Sequence, residues 1–209
     1  MSIAEKLTTV AENVPKVYEA GKKAEWDAFW DTYQKLGVSQ AYTQAFYTNR
    51  WTDENYKPKY PFICTSCASM YNSCRISDTL VDIDVSACSD TPYLFGYVSS
   101  LVTIRKLIVS ENTMYTSSFV DLKNLENLTI EGEIGQNGFN VQWSKKLSGK
   151  SIVSIIEALS SETSGLTVTL SQTAVTNMTF PITSKQTKIT YDSWETLIAT
   201  KSNWTISLV

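Results

Sequence analysis

Residues 98–109 read VSSLVTIRKLIV and residues 119–130 read FVDLKNLENLTI, with apolar side chains at the same internal offsets. Val98, Leu101, Ile104, Leu107 and Val109 in the first stretch match Phe119, Leu122, Leu125, Leu128 and Ile130 in the second. An earlier stretch, CRISDTLVDIDV at 74–85, repeats the pattern with Cys74, Leu80, Ile83 and Val85, and puts Ser77 where an apolar residue is expected. The centres Ile83, Leu107 and Leu128 are 24 and 21 residues apart. Each L-x-x-L-x-L core predicts a short strand, and units of about 20–29 residues stack so that their apolar side chains form one buried ladder.

That period predicts a leucine-rich repeat solenoid over residues 70–131. Such an array presents surface and does not by itself supply chemistry, which points to binding. Working outward, residues 1–37 read as a long helix. Ile3, Leu7, Val10, Val14 and Val17 recur at alternating spacings of four and three, the a/d seam of a coiled coil. Gly21, Ala24 and Ala28 continue the seam with little apolar bulk, and Pro15 kinks the helix or restarts it with Asn13 as cap. Two arrangements fit: an amphipathic helix packed on its own domain, or a self-associating helix forming a parallel trimer. Trp26, Phe29, Trp30 and Tyr33 follow the seam and need a surface to pack against.

Residues 38–69 are too aromatic for a flexible linker, with Tyr42, Phe46, Tyr47, Trp51, Tyr56 and Tyr60, and read as an ordered N-terminal cap. Residues 132–209 read as a C-terminal repeat and cap region. It contains a short strand near Phe139 to Trp143, a helix from Ser151 to about Ser160 and a strand over Thr167 to Ser171. Asp192 and Glu195 have capping-box spacing for a helix from Ser193 to about Thr200, and Trp204, Ile206 and Leu208 mark a last strand. The expected fold class is therefore α+β: a long N-terminal helix, then a short repeat solenoid with a helix/strand cap.

The stretch IGQNGFNVQWSKKLSGKSIVSIIEALSSETSGLTVTL at 134–170, the ending NWTISLV and the opening MSIAEKLTTVAENVPKVYEAGKKAEWDAFWDTYQ resemble one group of sequences. With the repeats, they are similar to BspA-type leucine-rich repeat proteins of phages and prophages of gut Gram-positive bacteria. The resemblance covers nearly the whole chain and is weakest over 171–190. It implies a leucine-rich repeat fold and a virion structural role as a tail-fibre, baseplate or head-fibre component. No functional motif of the group can be carried over to residues here.

Composition excludes several functions. The 209 residues carry a net charge of -3, 43% are hydrophobic and none is histidine. The absent imidazole removes Ser-His-Asp and Cys-His catalysis and His-based zinc sites for this chain acting alone. The low charge and a pI near 5.1 give no electrostatic footprint for nucleic acid, and no polybasic run suggests a membrane patch. The charged start of the chain (Glu5, Lys6, Glu12, Lys16) lacks the apolar stretch of a secretory signal, and no apolar run reaches membrane-spanning length. Synthesis and folding in a cytoplasm are therefore expected, which is compatible with the virion location that the resemblance to phage proteins implies.

Candidate chemistry is sparse. Cys64, Cys67, Cys74 and Cys88 include one C-x-x-C pair, but the later two are 14 apart, and Cys74 falls on a repeat position held elsewhere by apolar residues. They read as buried thiols rather than a zinc site or a redox pair. Asp82 and Asp84 flank Ile83 and read as exposed carboxylates on the strand face. The glycines of GEIGQNG read as turn glycines, lacking the context of a phosphate loop. No catalytic residue, cofactor or metal is expected. Asp82, Asp84, Tyr93, Tyr97 and Tyr115 are candidate contacts for a host-surface protein or glycan, with Trp143 a further aromatic candidate. Expected partners are further copies of the chain, a trimer first, and other virion proteins. A bacterial adhesin or intracellular interaction module is the alternative.

Overall fold

A computed structural model of the chain describes residues 40–41, 62–73 and 79–209. Five parallel strands form its main sheet in chain order: β1 (Gln40–Ala41), β2 (Phe62–Ser66), β3 (Thr79–Asp84), β4 (Thr103–Ile108) and β5 (Asn127–Glu131). Aliphatic and β-branched residues suit this pleated, half-buried surface. Ile104 and Leu107 turn inward from β4 while Arg105 faces solvent, and Leu128 and Ile130 turn inward from β5. Leu80 pairs with Ile104 and Ile83 with Leu107, a 24-residue offset.

The next pairing departs from the spacing read in the sequence. Ile104 pairs with Leu128 and Leu107 with Ile130, and the register slips between them. Leu128 is thus the partner of Ile104 rather than of Leu107. Successive L-x-x steps allow two alignments, and the hydrogen-bonded turns between strands select the one at 24. In those turns Tyr71 N–H donates to Leu94 O at 2.9 Å and Phe95 N–H to Ser118 O at 3.0 Å. Ser69, Tyr93 and Ser117 adopt positive φ of 52–53°, and Ser73, Tyr97 and Asp121 adopt 55–60°, so both corners recur every 24 residues. Inside the turns Tyr71, Phe95, Phe119 and Phe139 form an aromatic column with successive ring centroids 5.9, 5.7 and 4.8 Å apart.

After β5 the main sheet ends. Helix α1 (Gly149–Ala158), N-capped by Ser148, lies along β5 where another strand would pair. Beyond it come β6 (Leu166–Leu170), α2 (Gln172–Thr176), β7 (Ile182–Thr183), β8 (Thr190–Tyr191), α3 (Trp194–Ala199) and β9 (Trp204–Leu208). β6 pairs parallel with β9, and β7 pairs antiparallel with β8. The buried apolar cluster runs without a break from Cys64 to Trp204.

The expected fold class is corrected by this architecture. Among the described residues there are three short helices of 10, 5 and 6 residues and three small separate sheets, a mixed α+β arrangement rather than a long helix followed by a repeat solenoid. The physical reason is local: the apolar spacing of 98–130 does not extend past Ile130, and α1 replaces the next strand. The seam residues Ile3, Leu7, Val10, Val14 and Val17, with the rest of 1–37, lie outside the described residues. Most of the 38–69 connector does too.

Smaller corrections follow the same logic. The strand expected at Phe139 to Trp143 is a pair of turns with a single bridge, Asn140 to Thr169. The capping box of α3 is built from Ser193 and Thr196, one residue beyond the Asp192–Glu195 pair. Gly132 and Gly138 sit at φ of 95° and 97°. At Gly132 a Cβ would run into the Val109 carbonyl, so this position needs glycine for space as well as for backbone conformation. No helix among the described residues is long and apolar enough to cross a membrane.

Candidate binding face

The stacked turns bring exposed aromatic and apolar side chains to one face. Tyr93 N–H donates to Thr116 O at 3.0 Å and Tyr97 N–H to Val120 O at 2.9 Å, fixing the Tyr93–Tyr97 corner directly on the Ser117–Asp121 corner. The next level is held by Ser144 Oγ, which donates to Leu122 O at 3.0 Å, and by Lys146 Nζ, which donates to Asn124 Oδ1 at 2.8 Å. Trp143 therefore stands one level beyond Asp121, and Asp121 two residues before Lys123 is neutralised by it at 2.9 Å. Tyr97 is 50% exposed, Met114 47%, Trp143 42% and Tyr93 39%, high values for large side chains on a well-packed frame.

Between these turns and β6 lies an open groove of about 700 Å³. Met114, Thr116, Ser117 and Val120 line it from one level, Asn137, Asn140, Gln142 and Trp143 from the next, and Thr167 and Thr169 from β6. Every lining side chain is uncharged. Two of the amides are pre-set: Asn137 Oδ1 accepts the Thr167 N–H at 2.9 Å, and Asn140 Oδ1 accepts the Gln142 N–H at 3.0 Å. Each of these carboxamides thereby keeps its Nδ2 hydrogens as donors. Asp90 borders the groove and is engaged by its own surroundings, accepting the Thr91 N–H at 2.8 Å and the Thr116 hydroxyl at 3.3 Å.

The sheet face carries different chemistry. Arg105 pairs with Asp82 at 2.8 Å and Lys106 with Glu131 at 2.8 Å, linking neighbouring strands. The carboxylate beside it holds the Arg105 guanidinium still more firmly protonated. Asp84 is turned into its own strand end, where it accepts from Ser86 N–H at 2.9 Å and Ser86 Oγ at 2.6 Å. Asp82 and Asp84 are thus both committed to protein partners, one across strands and one within its own turn.

Of the candidate contacts, Tyr93 and Tyr97 share one turn, Trp143 stands two levels further along the same stack, and Asp82 and Asp84 lie in β3. Tyr115 is corrected: it is 1% exposed and packs edge-on against Phe139 at 5.0 Å, and burial pushes its phenol well above the ordinary range. The 24-residue period carries the signal, since Cys67, Thr91 and Tyr115 form one inward column. Met114 and the Asn137–Gln142 segment were not singled out in the sequence. They meet only because the turns stack, and no local motif marks them.

Cys64, Cys67 and Cys88 are buried free thiols, while Cys74 lies outside the described residues. Cys67 Sγ and Cys88 Sγ are 3.4 Å apart, and Cys88 Sγ also donates to Cys64 O at 3.3 Å. Hydrogen bonding to Cys64 and burial push the Cys67 thiol up, and hydrogen bonding to Cys67 and burial do the same to Cys88. Protonated, inward-facing thiols of this kind fill core space. No group of three or more His, Cys, Asp or Glu side chains among the described residues is placed to hold a metal ion.

No protein-family model matches this chain, and comparison with curated proteins and with solved structures gives no match either.

Proposed function

We propose that this chain is a non-enzymatic structural component of a phage virion whose turn face binds a host-surface or virion partner. The observation that carries the binding reading is the run Tyr93, Tyr97, Met114 and Trp143, exposed on turns that main-chain hydrogen bonds hold in place. Exposed aromatic groups on a rigid frame contribute contact area at low ordering cost. The virion placement is supported by the resemblance of residues 134–170 and of the ending to phage proteins. Several copies per particle, as a homo-oligomer, would multiply weak individual contacts into avidity.

The test uses purified particles from the host strain. Mass spectrometry of the virion should detect the chain, and antibody against it should label particles and slow their adsorption to host cells. Its absence from particles, together with adsorption indifferent to the antibody, overturns the proposal.

A further inference from the structure

We infer that the groove beside Trp143 is a binding site for an uncharged glycan, an inference that rests on the proposed binding role and names its ligand. The lining combines two features that a neutral sugar requires and that a charged ligand does not. Trp143 offers an exposed aromatic surface on which the apolar, C–H-bearing face of a pyranose ring can lie. Around it stand Asn137, Asn140, Gln142 and Thr169, amide and hydroxyl groups that match sugar hydroxyls as both donors and acceptors.

Three observations favour a glycan over a protein surface. The volume, about 700 Å³, lies inside the roughly 300–1,000 Å³ of small-ligand clefts. Amide and hydroxyl residues outnumber Met114, Val120 and Trp143 in the lining, although most of its exposed area is apolar, and this mixture matches a sugar ring with one C–H-bearing face and hydroxyls at its rim. Finally, the Asn137 and Asn140 carboxamides are locked by bonds from main-chain N–H groups at 2.9 and 3.0 Å, so their remaining donors are set before any ligand arrives. The charged pairs Asp82–Arg105 and Lys106–Glu131 lie on the strand face, outside this lining.

The experiment is an array of neutral and acidic oligosaccharides probed with the full chain, followed by calorimetric titration of the best neutral binder. N-Acetylglucosamine trisaccharide and maltotriose serve as neutral reference probes and sialyllactose as the acidic one. Binding of a neutral sugar is expected to weaken at least about tenfold in Trp143→Ala, a loss of about 1.4 kcal/mol. It should be largely kept in Trp143→Phe, which retains a flat ring, and fall in Asn140→Ala. Arg105→Ala, on the strand face, should leave it unchanged, and circular dichroism of each variant reports folding. Binding confined to acidic sugars, binding unchanged in Trp143→Ala, or no binding to any neutral glycan overturns the inference. If the chain is found on particles and antibody blocks adsorption while those sugar results hold, the glycan assignment alone fails and the binding role stands.

Discussion

Ser151 Oγ accepts the main-chain N–H of Leu128 at 2.9 Å. One turn on, Ser154 Oγ accepts the N–H of Ile130 at 2.9 Å, and Gln186 Nε2 donates to the Ile130 carbonyl. Ser151 Oγ also donates to Glu126 O at 3.0 Å. The outer edge of β5 thus finds its hydrogen bonds in side chains, three of them from a helix and a loop rather than from another strand. An unpaired edge is a template for pairing with another chain, and this arrangement closes it.

Removing one of these hydroxyls leaves a buried N–H without its acceptor, which costs about 1–3 kcal/mol. Ser151→Ala and Ser154→Ala should each lower the urea midpoint by a corresponding amount, and the double variant should lower it further. Light scattering should show the double variant self-associating more than either single one. Midpoints unchanged within error would mean that water reaches this edge and the serines do not seal it.

How much of this was legible in the sequence depends on the kind of signal. The inward positions Ile83, Ile104, Leu107, Leu128 and Ile130 follow from apolar spacing, because burial selects side-chain type directly. The pairing of Leu128 with Ile104 does not, since an L-x-x-L-x-x-L run fits two registers and turn hydrogen bonds choose between them. The end of the parallel sheet was hidden too: Ser151 and Ser154 look like ordinary polar positions on a helix whose Ile152, Ile155 and Ile156 face the core. Tyr93, Tyr97 and Tyr115 stand alike outside the apolar ladder in the sequence, and only the fold separates the exposed pair from the buried third, just as Met114, Asn137 and Asn140 acquire meaning only when three turns stack.

The aromatic column gives a second expectation. Phe119 is fully buried between Phe95 and Phe139, at centroid distances of 5.7 and 4.8 Å. Truncation leaves a cavity that neighbours on rigid turns fill poorly, so Phe119→Ala should cost about 3–5 kcal/mol in chemical denaturation. Phe119→Leu, which keeps most of the volume, should cost less than half as much. Equal losses for the two variants would show that ring packing, rather than volume, holds this column.

Cys64, Cys67 and Cys88 are at most 2% exposed, and the last two have thiols pushed up towards the protonated form. Burial shields all three from iodoacetamide, and in Cys67 and Cys88 the reactive thiolate is disfavoured as well, so they should resist labelling in the folded protein and react within minutes in denaturant. Peptide-level mass spectrometry separates them from Cys74. Rapid native labelling of Cys67 or Cys88 would contradict the packing described for β2 and the turns that follow β3.

Glu157 on α1 gathers three hydroxyls: Ser184 Oγ at 2.6 Å, Thr187 Oγ1 at 2.5 Å and Tyr191 OH at 2.9 Å. This carboxylate ties the β7–β8 hairpin to the helix. Burial, then the hydrogen bond to Glu157, raises the Tyr191 phenol from 10.0 to about 12. A value raised on folding favours the neutral phenol, so its contribution to stability is full below pH 10 and is lost as pH climbs through about 12. The thermal midpoint of the native chain should therefore fall across that window, and Tyr191→Phe, which cannot ionise, should fall less steeply. Glu157→Gln removes the negative charge that opposes phenolate formation, and phenolate absorbance at Tyr191, taken as the difference from Tyr191→Phe, should then appear at lower pH. An unchanged slope in Tyr191→Phe would mean that other groups govern the alkaline transition and that the hairpin tie is not what gives way first.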